Sequence, residues 1–224
     1  MQLVKSFVLV SACVLGFATS ALCQQPPAPR PVAIPEQRGY VAGAVGVEFE
    51  PPTQAVFSVE YGENLNRDVQ AYATFSYFEN VMTTSFQDEL TEQAQFITAR
   101  SGVRLDFFGR DRALVFAVGG KYLIPMSDMV RPYVGGGAGV LNIRRSIRDP
   151  RLGDVTKAVL EDFGIGEIDF TFISVTRPMA EAALGIGIVA GETYIDIGYR
   201  YRRAFHMTER FDLSQFSAGI GYKF

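Results

Sequence analysis

Gln215-Phe216-Ser217-Ala218-Gly219-Ile220-Gly221-Tyr222-Lys223-Phe224 ends the chain on a strict two-residue alternation. Phe216, Ala218, Ile220, Tyr222 and Phe224 share one side of an extended strand. Gln215, Ser217, Gly219, Gly221 and Lys223 share the other. Successive strand side chains point to opposite faces, so this is a strand with one apolar face and one small, polar face. From Asp212 onward it exceeds the about 9–11 residues that a tilted strand needs to cross a bilayer.

Working back from this strand, the same pattern recurs seven times: about Gly39 to Phe49, Ala55 to Gly62, Val69 to Phe78, Ala113 to Ile124, Pro132 to Ile143, Met179 to Val189 and Thr193 to Arg203. Phe57, Val59 and Tyr61 oppose Ser58 and Glu60. Leu114, Phe116, Val118 and Tyr122 oppose Ala117, Gly119 and Lys121. Ala182, Leu184, Ile186 and Ile188 oppose Glu181, Gly185 and Gly187. Ile195, Ile197, Tyr199 and Tyr201 oppose Asp196, Gly198, Arg200 and Arg202.

The chain is 48% hydrophobic, yet no stretch after the first two dozen residues approaches the apolar run of about 20 residues that a membrane helix needs. The hydrophobicity is dispersed by alternation. Residues 1–23 read as an export signal, with Lys5 before an apolar core from Phe7 to Ala18 and cleavage after Cys23 or Ala21. Residues 24–38 hold five prolines and read as an extended tether. Residues 39–224 form the folded unit. Cys13 and Cys23 both fall in the leader or at its edge, so no disulfide framework is expected. The formal net charge is −3, which gives no case for nucleic acid.

Two architectures use such alternation. A soluble lipocalin-like barrel turns its apolar face inward, and a membrane barrel turns it outward around a polar lumen. Here charged residues share their face with glycines, which suits the narrow interior of eight strands. The connections agree, since Asn64–Asp68, Pro125–Arg131 and Gly191-Glu192 are short, whereas Glu79–Arg112 and Arg144–Pro178 are long. The expected fold is all-β: an antiparallel eight-strand transmembrane barrel with short helices in two long outer loops. One helix is expected from Phe86 to Ser101, with Ser85 as N-cap and Gly102 as stop. The other is expected from Val155 to Phe163, between Asp154 and Gly164. Val103 to Phe108 is read as loop or as an upward extension of the fourth strand.

Several segments resemble a known family. Arg131-Pro132-Tyr133-Val134-Gly135-Gly136-Gly137-Ala138-Gly139-Val140, Asp196-Ile197-Gly198-Tyr199-Arg200-Tyr201 and Ser217 to Phe224 resemble strands of small outer-membrane barrels similar to the membrane domain of outer membrane protein A. Asn64 to Tyr72 resembles the turn into an early strand, and the likeness spans Gly39 to Phe224. It implies a bacterial outer-membrane location and a monomer. It also implies that Phe216, Ala218, Ile220, Tyr222 and Phe224 form the signal read by the barrel-assembly machinery, through pairing of an exposed strand edge. The sequence ends at the last strand, so a peptidoglycan-binding domain is not expected.

Glu48, Glu60, Lys121, Glu181, Asp196, Arg200, Arg202 and Lys223 are the expected lumen network. They serve either as a paired plug or as a polar path for small solutes. Arg144, Arg145, Arg148 and Arg151 are expected to contact lipopolysaccharide phosphates, because guanidinium forks match phosphate oxygens. His206-Met207-Thr208 with Glu209 offers a base, a hydroxyl nucleophile and an orienter, but neighbouring strand residues face opposite ways, and the segment reads as a solvated loop. No catalysis, metal or cofactor is expected. The functional expectation is a structural or surface-interaction role, with a narrow channel or a soluble ligand-binding barrel as alternatives.

Overall fold

The computed structural model describes residues 39–49, 53–127, 129–162, 173–205 and 211–224. The expected leader and tether, the His206–Glu209 segment, and Phe163 and Gly164 lie outside the described residues. The strands are β1 (Gly39–Glu48), β2 (Gln54–Asn64), β3 (Val69–Phe78), β4 (Phe108–Leu123), β5 (Val130–Asp149), the two-residue β6 (Gly153–Asp154), β7 (Ser174–Ala190), β8 (Thr193–Ala204) and β9 (Asp212–Lys223). All but β6 form one antiparallel sheet, each strand pairing with the next. β1 also pairs with β9, Tyr40 opposite Lys223 and Glu48 opposite Gln215, so the sheet closes into an eight-strand barrel. Closure leaves no unpaired edge along the wall.

The short turns share one end of the barrel with Gly39 and Phe224. In the β2–β3 turn the Asn66 side chain accepts from the backbone N–H groups of Asp68 (2.9 Å) and Val69 (2.8 Å). In the β7–β8 turn Gly191 takes φ +63°, a left-handed conformation open to glycine at little cost.

The alternation sorts the faces. Val45, Phe57, Val59, Phe116, Leu184 and Ile220 lie exposed on the outside, while Glu60, Lys121, Arg200 and Arg202 are buried inside. A continuous apolar exterior of this kind is not compatible with water. A lipocalin-like barrel needs the opposite arrangement. The interior has two levels: a polar level toward the short-turn end, and an apolar level toward the long-loop end that includes Phe78, Val115, Leu141, Ile143, Met179 and Leu213.

Three strands run well beyond the alternation toward the long-loop end. β4 begins at Phe108 rather than Ala113, β5 runs to Asp149 rather than Ile143, and β7 begins at Ser174 rather than Met179. Residues 103–107 are not strand, and 108–112 are the upward extension of β4. Together β4 and β5 rise beyond the wall as a two-stranded tongue, paired from Arg112↔Arg144 to Phe108↔Arg148.

Helix α1 (Thr84–Ser101) covers the tongue's inner side. Its Phe86, Leu90 and Ala94 cluster with Phe107, Ile147, Val159 and Leu160. A Cβ on Gly109 would meet Met82 Sδ and Leu90 Cδ1, so the missing side chain lets the helix sit down on the strand. The N-cap is Thr83, not Ser85: the Thr83 hydroxyl accepts from the Phe86 N–H, and Ser85 lies within the first turn. Gly102 (φ +70°) ends the helix, its N–H donating to the Thr98 carbonyl at 2.9 Å. The second expected helix is a wide helical turn, Ala158–Asp162, entered through Asp154, whose carboxylate accepts from the Thr156 N–H and hydroxyl.

Candidate functional site

The polar level of the lumen is built by alternation, which aims every second side chain of a strand at the axis. Glu60 on β2 accepts from Lys121 on β4, from Arg200 on β8 and from the Tyr40 hydroxyl on β1. Glu181 on β7 accepts from Arg202 Nε at 2.8 Å and from the Tyr72 hydroxyl at 2.6 Å. Arg200 Nη1 stands 3.8 Å from Glu181 Oε1 and so links the two carboxylates. The Arg202 fork is completed by Gln215 Oε1 (2.6 Å) and Ser76 Oγ (3.2 Å). Five charges from four strands thus share one cluster. An unpaired ion here would carry a large desolvation cost, which this arrangement avoids.

Among the described residues no cation donates a hydrogen bond to Asp196. It accepts from the hydroxyls of Tyr133 (3.1 Å) and Tyr194 (3.3 Å). The Lys121 ammonium lies 4.4 Å from the Tyr133 ring centroid, with the Tyr72 and Tyr40 rings at 5.4 and 5.7 Å. Cation–π attraction stabilises a charge withdrawn from water in this way. Glu48 and Lys223 also point inward but stand at opposite ends, away from the central cluster. Glu48 accepts from Gln54 Nε2 at 3.0 Å.

The sequence reading left out the inward tyrosines Tyr40, Tyr72, Tyr133 and Tyr194, because it gave the aromatic residues to the apolar outer face. The signal was present in the glycines. A Cβ on Gly62 would collide with the Tyr40 ring, one on Gly119 or Gly137 with the Tyr72 hydroxyl, and one on Gly185 or Gly198 with the Tyr133 hydroxyl. Each glycine leaves the room that one inward ring fills.

Phe216, Ile220, Tyr222 and Phe224 form an exposed outward row along β9, with Ala218 between them. The four arginines do not form one group. Arg144, Arg148 and Arg151 are exposed, but Arg145 turns inward, where Asp111 receives its Nε at 2.9 Å and its Nη2 at 2.6 Å. Its guanidinium stacks 3.8 Å above the Phe86 ring. The strand extends through these residues, so alternation separates Arg145 from its neighbours and fixes it under α1. Arg151 lies in the turn beyond the strand. Arg110 and Arg112 stand on the same outer face as Arg144 and Arg148, on the adjacent strand.

No family profile and no curated protein matches the chain. Among solved structures, Neisserial surface protein A aligns over 83% of this chain and 96% of its own, at 15% identity and TM-score 0.51. The attachment invasion locus protein of Yersinia pestis aligns over 84% and 97%, at 15% identity and TM-score 0.47. The N-terminal β-barrel domain of Pseudomonas aeruginosa OprF aligns over 84% and 98%, at 12% identity and TM-score 0.46. The likeness to the Neisserial protein shows the fold, a closed antiparallel eight-strand barrel.

Proposed function

We propose that the chain is a monomeric, non-catalytic protein of the bacterial outer membrane. Gly39 and Phe224 stand at the periplasmic rim, and the tongue with its helix is presented at the cell surface. The observation that carries this reading is the filled lumen. The Glu60–Lys121–Arg200–Glu181–Arg202 cluster occupies one level and the apolar layer around Leu141 and Ile143 the next, within an eight-strand interior that has room for little more than side chains. Such a barrel is an anchor, and its work falls to the surface it exposes. Insertion through the assembly machinery, guided by the Phe216–Phe224 row, belongs to the same reading.

Outer-membrane fractionation with gel mobility before and after boiling tests the reading. A folded barrel migrates faster until boiled, and recovery in the aqueous fraction would refute the proposal. The runner-up is a narrow channel, favoured by the presence of both charge signs in the lumen. Planar-bilayer recordings separate the two: the plugged barrel gives no unitary steps, and the channel does.

A further inference from the structure

The outer face of the tongue is strongly cationic. Its three cross-strand rows are Phe108 with Arg148, Arg110 with Ser146, and Arg112 with Arg144. Arg110 is engaged by Glu79. Arg112 and Arg144 are exposed direct cross-strand partners, and among the described residues neither has a carboxylate within 4.0 Å. Like charges placed directly opposite destabilise a sheet, and a bound anion removes that cost. Beside them lies a groove of about 560 Å³ lined by Arg110, Arg112, Arg148 and Glu79, a volume in the range of sites that hold small ligands.

The height of the pair limits the ligand. Arg112 stands ten residues up β4 from the outward Tyr122 at the short-turn end. At about 3.4 Å per residue and a tilt of about 40°, that is about 25 Å, the height of the apolar band of such barrels. The outward positions of β4 between them include Leu114, Phe116 and Val118, all apolar and exposed. The guanidinium pair therefore begins where the lipid-facing surface ends.

Resting on the outer-membrane reading above, we infer that Arg112 and Arg144 form a pincer for a phosphate monoester on an outer-leaflet glycolipid of the lipid A type, whose sugar lies along the groove toward Arg110 and Arg148. Two guanidinium forks present paired N–H donors suited to phosphate oxygens, and the apolar wall below takes the acyl chains.

The test uses full-length folded protein and the Arg112→Gln/Arg144→Gln variant, each checked by heat-modifiable mobility. Arg144→Gln alone replaces the double variant if that does not fold. Native mass spectrometry reads the lipid retained after exchange into detergent containing bisphosphorylated lipid A or its dephosphorylated form. The expected result is retention of the bisphosphorylated lipid at least about tenfold above that of either variant, tenfold being the loss of one charge-assisted contact and the double variant losing two, and no such difference with the dephosphorylated lipid. Equal retention by the variant, or equal retention of both lipids, overturns the site. Displacement by glucose 1-phosphate at matched concentration overturns the lipid assignment in favour of a soluble phosphate. A protein that folds and inserts but shows no phosphate dependence overturns only this inference, whereas recovery in the aqueous fraction overturns the reading beneath it.

Discussion

Arg202 Nε lies 2.8 Å from Glu181 Oε2, both side chains almost fully buried, with the guanidinium 5.7 Å from the Phe78 ring centroid. The pair marks the border between the charged level of the lumen and the apolar level above it. Removing one partner leaves an uncompensated ion where water does not replace it. Glu181→Ala is expected to destabilise the barrel by about 3–5 kcal/mol. Urea titration in detergent, followed by the loss of heat-modifiable mobility, measures this. Adding Arg202→Met should recover part of the loss, because it removes the stranded charge. A variant as stable as the parent would show that the cluster is solvated.

Gly198 faces the Tyr133 hydroxyl, and a Cβ there would stand 2.5 Å from that oxygen. Gly198→Ala is expected to cost about 1–3 kcal/mol through overpacking. Tyr133→Phe in the same chain should relieve most of it, since the hydroxyl is the atom in the way. The second change also deprives Asp196 of its 3.1 Å donor, so the relief is incomplete. The same urea titration reads both variants, and an additive loss in the double variant would disprove the pairing of glycine with ring.

How far the sequence revealed the fold depended on whether the two strand faces differed. Through the charged level of the lumen they differ strongly, as in Ile197-Gly198-Tyr199-Arg200-Tyr201-Arg202, and period 2 assigns every residue. Near the long-loop end both faces are apolar. Ala113-Leu114-Val115-Phe116 and Val140-Leu141 carry no alternation, because the inner residues fill the dry layer while the outer ones meet lipid. Above that level Arg144-Arg145 has lost the contrast in the opposite sense, with both residues charged. Only the register with Asp111 and Arg112 shows which arginine is buried. The cap was ambiguous for a similar reason, since Thr83, Thr84 and Ser85 all have capping hydroxyls.

The tongue should respond to acid. The N–H groups of Asp106, Arg151 and Leu152 donate to the Asp149 carboxylate at 2.9, 2.8 and 3.0 Å, and these bonds hold its pKa below the usual carboxylate range. The Thr156 hydroxyl and N–H do the same for Asp154. A carboxyl with a depressed folded-state pKa contributes stability that is fully present above its unfolded value, about 3.9 for Asp. That contribution is lost as pH falls through the folded-state value. Protection factors of the Asp106, Arg151 and Leu152 amides should therefore be constant from pH 7 to about 5 and drop below about pH 4, while β1 and β9 stay protected. Asp149→Asn should flatten the response. A tongue equally protected at pH 3 would remove these carboxylates from its stability.

Phe224 joins two properties that can be separated. Its backbone closes the seam, since the Gly39 N–H donates to the Phe224 carbonyl at 3.1 Å and the Phe224 N–H returns to the Gly39 carbonyl at 3.0 Å. Its ring is half exposed on the outer face, 6.3 Å from the Tyr61 ring. Phe224→Ala keeps the seam and removes the ring. Loss of one surface aromatic pair costs about 0.5–1.5 kcal/mol, so the assembled barrel should remain folded in urea nearly as well as the parent. If the outward row is the assembly signal, the same variant should nevertheless accumulate unfolded and slowly in pulse-chase experiments. Deleting Phe224 removes both the ring and the seam bonds, and should lower stability as well as the assembly rate. Normal assembly of Phe224→Ala, with a defect only in the deletion, would assign the residue to closure of the barrel alone.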